Sequence, residues 1–239
     1  MADATDSLAF HRHDVVWLEA GPDGGIGLDP ADEDVRSRVR EWIVARRPFV
    51  VRQQGAQVLR TGPVALGLPL PPNADKRRIA LTVHRRMIRR VSRAPALADV
   101  VPHAPWHWRP PLARLHRRAE AIGITFRVFG SAAWQALTGV AYVTDASDVD
   151  LLWHPATPAQ LTEGVAILDA WQRDSGIPAD GEIIFGDDDA VAWREWRRHG
   201  DHAHVLVKRL DGPVMRAPCA LLQMLGQSAE ADHVCGAPA

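Results

Sequence analysis

Hydrophobic positions change their rhythm along this chain, and the change divides it in two. In the first part short apolar runs dominate: Val15-Val16-Trp17-Leu18, Pro48-Phe49-Val50-Val51-Arg52, Val64-Ala65-Leu66-Gly67-Leu68 and Arg78-Ile79-Ala80-Leu81-Thr82-Val83 each predict a strand. Between the first two, Val35, Val39, Trp42 and Ile43 recur at helical spacing, predicting a helix within 30–45. The turn-rich stretch 69–75 separates the last two strands. From His84 the pattern shifts: Arg85, Arg89 and Arg93 fall at i, i+4 and i+8 with Arg86 and Arg90 beside them, while Met87, Ile88 and Val91 lie elsewhere. That spacing predicts an amphipathic helix with one basic face. The Pro- and Trp-rich stretch 102–111 then reads as a linker.

Beyond it, helical and strand periods alternate. Helices are predicted over 112–121, 131–137, 157–172 and 218–225, and strands over 124–129, 149–153, 181–185, 191–193 and 204–209. Leu161, Val165, Leu168 and Trp171 give the long helix its buried stripe, and the acidic turn 186–189 joins a hairpin. The expectation is an α/β (α+β) protein of two domains: a β-rich domain with a basic helix over 1–110, and a second domain over 111–239 with a mixed sheet flanked by helices.

Composition narrows the setting. The chain has 239 residues, 46% of them hydrophobic, enough for a substantial core. Lys and Arg number 28 against 29 Asp and Glu, so no global field points to nucleic acid or to a membrane surface. No run approaches the roughly 20 apolar residues of a membrane span, and the acidic start 1–6 lacks the pattern of an export signal. The two cysteines, Cys219 and Cys235, have no partner cluster, which argues against a disulfide scaffold and for a reducing cytoplasm. His199, His202 and His204 lack an acid or cysteine at a zinc spacing, and His11 and His13 fare no better. Of the nine tryptophans, Trp106, Trp108, Trp193 and Trp196 among them, at least one is expected to stack an adenine and most to serve core or interdomain packing.

The chemistry concentrates in 129–152. Gly130-Ser131 closes an apolar strand and opens a helix; glycine leaves room for a phosphate, and Ser131 offers an N–H and a hydroxyl. In the strand that follows, Asp148 and Asp150 stand two apart and so point to one face, able to share one or two divalent cations. Glu182, in a neighbouring strand, is the expected third ligand or base, with Asp180 and Glu195 as alternatives for that place. All-oxygen ligands favour Mg²⁺, and such a set suits in-line displacement at a triphosphate with pyrophosphate leaving.

A strand ending in Gly-Ser, a helix, an Asp-x-Asp strand and a later strand acid resemble the polymerase-β-type nucleotidyltransferase superfamily. Residues 130–139, 147–152, 180–182 and 192–195, with 47–52, 67–72 and 76–81 from the first part, resemble more narrowly the holo-acyl-carrier-protein synthases of malonate decarboxylase, the phosphoribosyl-dephospho-CoA transferases. The likeness runs from about His13 to Leu225. The stretch 132–147, longer than the usual connection, is the visible departure, and its loop 142–145 is expected to line the substrate pocket.

The resemblance implies transfer of phosphoribosyl-dephospho-CoA from 2'-(5''-triphosphoribosyl)-3'-dephospho-CoA to a serine of the malonate decarboxylase acyl-carrier subunit. By it, Asp148 and Asp150 hold Mg²⁺, Gly130 and Ser131 hold the triphosphate, and Glu182 completes the metal site or assists deprotonation. Arg127 and Lys208, in or beside predicted core strands, are added as phosphate-binding cations, and the basic helix as a dock for an acidic carrier. The rival readings are a nucleotidyltransferase using an ordinary nucleoside triphosphate on a small molecule, protein or RNA, and a non-catalytic module of the same fold.

Overall fold

A computed structural model of the chain describes residues 9–19, 25–29, 32–55, 62–74, 77–198 and 204–226. Two compact units emerge, each built on its own six-stranded sheet.

The first unit comprises the chain up to Ala94 with Trp134–Tyr142 and Leu210–Gly212. Its strands are β1 (Val15–Leu18), β2 (Ile26–Asp29), β3 (Phe49–Val51), β4 (Val64–Pro69), β5 (Arg78–Val83) and β6 (Ile88–Ser92), in the order β2-β5-β4-β3-β1-β6 with antiparallel pairing. One helix, α1 (Glu33–Val44), lies between β2 and β3 in the chain. Asp32 caps it by accepting from the Asp34 N–H at 3.0 Å, and Val35, Val39, Trp42 and Ile43 are its buried stripe. These pack with Phe49, Leu66, Leu68 and Leu81, and with Trp134, Tyr142 and Leu210. The Tyr142 hydroxyl donates to the Pro69 carbonyl at 2.8 Å. Burial pushes that phenol well above its ordinary range, against the opposing pull of the Arg47 charge. Strand β2 is absent from the sequence expectation.

The basic helix expected from Arg85 to Arg93 is not formed. Arg85–Met87 is a single 3₁₀ turn, and β6 pairs with β1. The register shifts between Trp17, opposite Arg90, and Leu18, opposite Ile88, so Arg89 is the extra residue of a bulge and both Arg89 and Arg90 reach the surface. No continuous basic face results: Arg85 is buried with its guanidinium over Phe10, Arg90 stacks on Trp17, Arg89 faces Glu19, and Arg93 faces the buried Asp14 at 3.6 Å.

The second unit takes Pro95–Ala133, Val143–Arg209 and the residues from Pro213 onward. The stretch expected to be a linker belongs to it and is structured: α2 (Leu97–Val100), a 3₁₀ turn at Val101–His103, then α3 (Arg109–Glu120), whose first turn accepts Pro110. The division therefore falls at Ala94/Pro95 rather than after residue 110. There follow in chain order β7 (Arg127–Phe129), α4 (Gly130–Thr138, whose residues from Trp134 on cluster with the first unit), β8 (Val149–Trp153), α5 (Pro158–Ser175), β9 (Ala179–Phe185), β10 (Asp189–Ala192), α6 (Trp193–Arg198), β11 (Val205–Arg209), β12 (Gly212–Arg216) and α7 (Pro218–Leu222). The sheet order is β12-β11-β10-β9-β8-β7, and it is mixed: β8 and β9 run parallel, with α5 as their crossover, while β7–β8, β9–β10 and β10–β11 are antiparallel.

Thr157 caps α5 by accepting from the Gln160 N–H at 3.1 Å, and Trp171 donates to the Pro111 carbonyl at 2.8 Å, tying α5 to α3. Trp153, fully buried, meets Phe126 edge-on at 5.2 Å between ring centres. Helix α6 and strand β12 are absent from the sequence expectation. Among the described residues no helix is long and apolar enough to cross a membrane. The segment 1–6, His199, His202 and Cys235 lie outside the described residues.

Candidate active site

Strand β8 is anchored by Val149, Leu151 and Trp153, all fully buried, which leaves Asp150 on the other, less covered face. Its register is fixed at the start, where the Val149 N–H donates to the Pro178 carbonyl at 2.9 Å. Asp148, just before it, leaves a tight turn in which the Ser147 hydroxyl accepts from the Thr144 N–H at 2.9 Å and the Ser147 N–H donates to the Thr144 carbonyl at 2.9 Å.

Parallel pairing sets Asp150 level with Asp180, and antiparallel pairing sets it level with Phe129. Asp148, Asp150 and Asp180 each offer a carboxylate oxygen, and these oxygens lie within 4.8 Å of one another. The third acid beside the pair is thus Asp180, one of the alternatives the sequence leaves open. Its Oδ1 accepts from the Gly181 N–H at 2.8 Å. The Ala179 peptide is held from both sides: its N–H donates to Gln172 Oε1 at 3.1 Å, and its carbonyl accepts from Arg194 Nη2 at 2.6 Å. Gln172 and Arg194 thereby fix the strand end that carries Asp180, and nothing in their sequence spacing signals that role.

Two glycines make the crowding possible. At Gly181 (φ +148°) a Cβ would lie 1.9 Å from the Leu151 carbonyl oxygen, so only glycine lets β9 approach β8 this closely. At Gly130 (φ +64°) a Cβ would lie 1.8 Å from Asp150 Oδ2. The first residue of α4 therefore lies directly against the Asp150 carboxylate, and Ser131 follows in the helix's first turn, whose N–H groups have no intrahelical acceptor.

Glu182 sits one step further along the same face of β9, level with Leu152. Only 3% exposed, it lies outside the cluster of three acids and accepts on Oε1 from Lys208 Nζ at 3.0 Å. Lys208 comes from β11, opposite Ala190. Arg127, half-buried, stands opposite Leu152 in β7. Arg127 thus stands in the row next to the acids, level with Leu152 and Glu182, and Lys208, one row further along the sheet, meets Glu182 as an ion pair. Glu195 is engaged elsewhere, accepting from the Leu206 N–H at 2.7 Å.

Three clustered carboxylates against the opening of a glycine-led helix can hold a divalent cation beside a phosphate, the equipment of a phosphoryl-group transferase. Comparison with known proteins finds transferases. Residues 11–94 match the phosphoribosyl-dephospho-CoA transferase MdcG N-terminal domain, and residues 96–218 match the C-terminal domain of the same family. A phosphoribosyl-dephospho-CoA transferase of Xanthomonas campestris pv. campestris is 45% identical over 202 residues, covering 84% of this chain and 91% of the relative. Those of Xanthomonas axonopodis pv. citri (40% over 198 residues, 82% and 89%) and Bradyrhizobium diazoefficiens (37% over 206 residues, 85% and 88%) are also similar. No solved structure matches the chain. The chain belongs to the phosphoribosyl-dephospho-CoA transferase family.

Proposed function

We propose that this protein transfers the phosphoribosyl-dephospho-CoA group from 2'-(5''-triphosphoribosyl)-3'-dephospho-CoA to a serine of the acyl-carrier subunit of malonate decarboxylase, in the cytoplasm, through a polymerase-β-type nucleotidyltransferase domain. The observation that carries the reading is the register that brings Asp150 and Asp180 level, with Asp148 beside them and Gly130 beneath.

The donor set fits Mg²⁺: three hard carboxylate oxygens within 4.8 Å of one another, with Asp148 and Asp150 half-buried and Asp180 exposed. Asp148, Asp150 and Asp180 would hold the ion, which when bound supplies charge neutralisation of the triphosphate. Gly130 leaves room for the phosphates, and Ser131 presents its N–H and hydroxyl to them. Arg127 and Lys208 add positive charge on the same face of the sheet. The serine oxygen forms a bond to the α-phosphorus as the bond to pyrophosphate breaks; pyrophosphate takes the electron pair, and the serine proton is released to water. A phosphodiester-linked prosthetic group is the product.

The test is the intact mass of purified carrier subunit incubated with this protein, Mg²⁺ and the triphosphoribosyl donor, with ATP in a parallel tube. A gain equal to the prosthetic group from the first donor alone, abolished by Asp148→Asn, is the expected result. An adenylyl gain from ATP would instead favour a nucleotidyltransferase of ordinary nucleoside triphosphates.

A further inference from the structure

Glu182 and Lys208 form an ion pair of unequal partners. The Glu182 side chain is 4% exposed and the Lys208 side chain 40%, so the carboxylate is buried while the ammonium it holds faces outward. Such a pair is a poor stabilising device: desolvating the carboxylate offsets most of the attraction, and apolar residues of similar volume would serve the sheet as well. Its placement suggests another use. Asp180 and Glu182 stand two residues apart on one strand, about 6.6 Å along the same face, so the ammonium is drawn to the row adjoining the acids. An ammonium has three donors, and Glu182 Oε1 takes one of them.

We propose that Glu182 is not a cation ligand but a positioning residue, which holds the Lys208 ammonium on the acid face to receive the pyrophosphate end of the donor. This rests on the transferase reading above. Lys208 is the group that touches phosphate, and Glu182 acts through it. The buried carboxylate holds a long, flexible cation in one place.

Two titrations decide it, using the full chain without carrier subunit or donor. Mn²⁺ affinity is read by its paramagnetic signal, and pyrophosphate affinity by calorimetry at fixed Mn²⁺. The expectation is that Glu182→Gln binds Mn²⁺ as the unaltered protein does, whereas Asp180→Asn loses about tenfold or more. Glu182→Gln and Lys208→Met should each weaken pyrophosphate by about tenfold, the double variant no further, and Lys208→Arg should restore most of the loss. Loss of Mn²⁺ affinity in Glu182→Gln to the extent seen in Asp180→Asn would return Glu182 to the metal site and overturn the proposal. Undiminished pyrophosphate affinity in Lys208→Met would overturn it also, and this variant carries the test if Glu182→Gln does not fold. Because no carrier is present, failure of the mass assay above leaves these readouts intact, and the two ideas fail separately.

Discussion

Gly130 has two demands on it, and only one of them is visible in the sequence. A glycine between a strand and a helix signals room for a phosphate, but the structure adds that the Asp150 carboxylate occupies the place where its side chain would begin. Gly130→Ala would put a Cβ 1.8 Å from Asp150 Oδ2 and would force an alanine to φ +64°. Something must move by about 1 Å, a displacement that costs on the order of a hundredfold in rate when the group is catalytic. The expected outcome is a loss of transfer of about that size with an unchanged circular dichroism spectrum. Full turnover in this variant would mean that Asp150 does not act from the position described. Asp148 and Asp150 themselves were legible from residue type and spacing. The choice of Asp180 over Glu182 was not, because both carry a carboxylate and register decides: β9 begins at Ala179, ahead of the glycine that opens the apolar run 181–185.

At the scale of elements, the readings that held rest on a buried stripe plus a terminal signal. Strand β8 has its expected limits, and α5 begins after Thr157 with Pro158 in its first turn, as its sequence predicts. The misreading at β6 has a plain cause. A spacing of four is close to one helical turn but is also two full periods of a strand, so arginines at i, i+4 and i+8 cannot distinguish the two. The bulge that places Arg89 and Arg90 together at the surface erases the alternation that would have identified a strand. Helix α6 and strand β12 are short, of 6 and 5 residues, and carry too few periods to register. The cap of α5 allows a check on stability apart from chemistry. Thr157→Ala removes the acceptor for the Gln160 N–H and should lower unfolding free energy by about 1 kcal/mol, with kcat unchanged. Equilibrium denaturation in urea measures the first, and a mass-resolved time course the second.

Over the whole molecule, the two units interleave in sequence: Trp134–Tyr142 and Leu210–Gly212 cluster with the first unit, although the chain around them belongs to the second. A linear reading assigns contiguous domains and cannot foresee this, since nothing local tells Trp134 and Tyr142 which core they join. Tyr142 offers a direct probe, because it is the single tyrosine in the chain. Its phenol titrates higher folded than unfolded, so the stability it contributes is fully present below the unfolded value of about 10 and declines as pH rises beyond it. Tyrosinate absorbance should stay absent in the folded protein past pH of about 10 and appear at the ordinary pH once denaturant is added. An ordinary titration without denaturant would show that the phenol is not buried against Pro69.

The same crowding that equips the second sheet has a cost in durability. Three carboxylates held within 4.8 Å of one another repel in the folded chain far more than in the unfolded one, where residues 148, 150 and 180 drift apart. An ion that settles among them binds the native state alone and draws the folding equilibrium toward it by mass action. With the Mg²⁺ proposed above, resistance to unfolding is expected to follow the divalent content of the surroundings, a chelated preparation unfolding at lower temperature than one supplied with the ion.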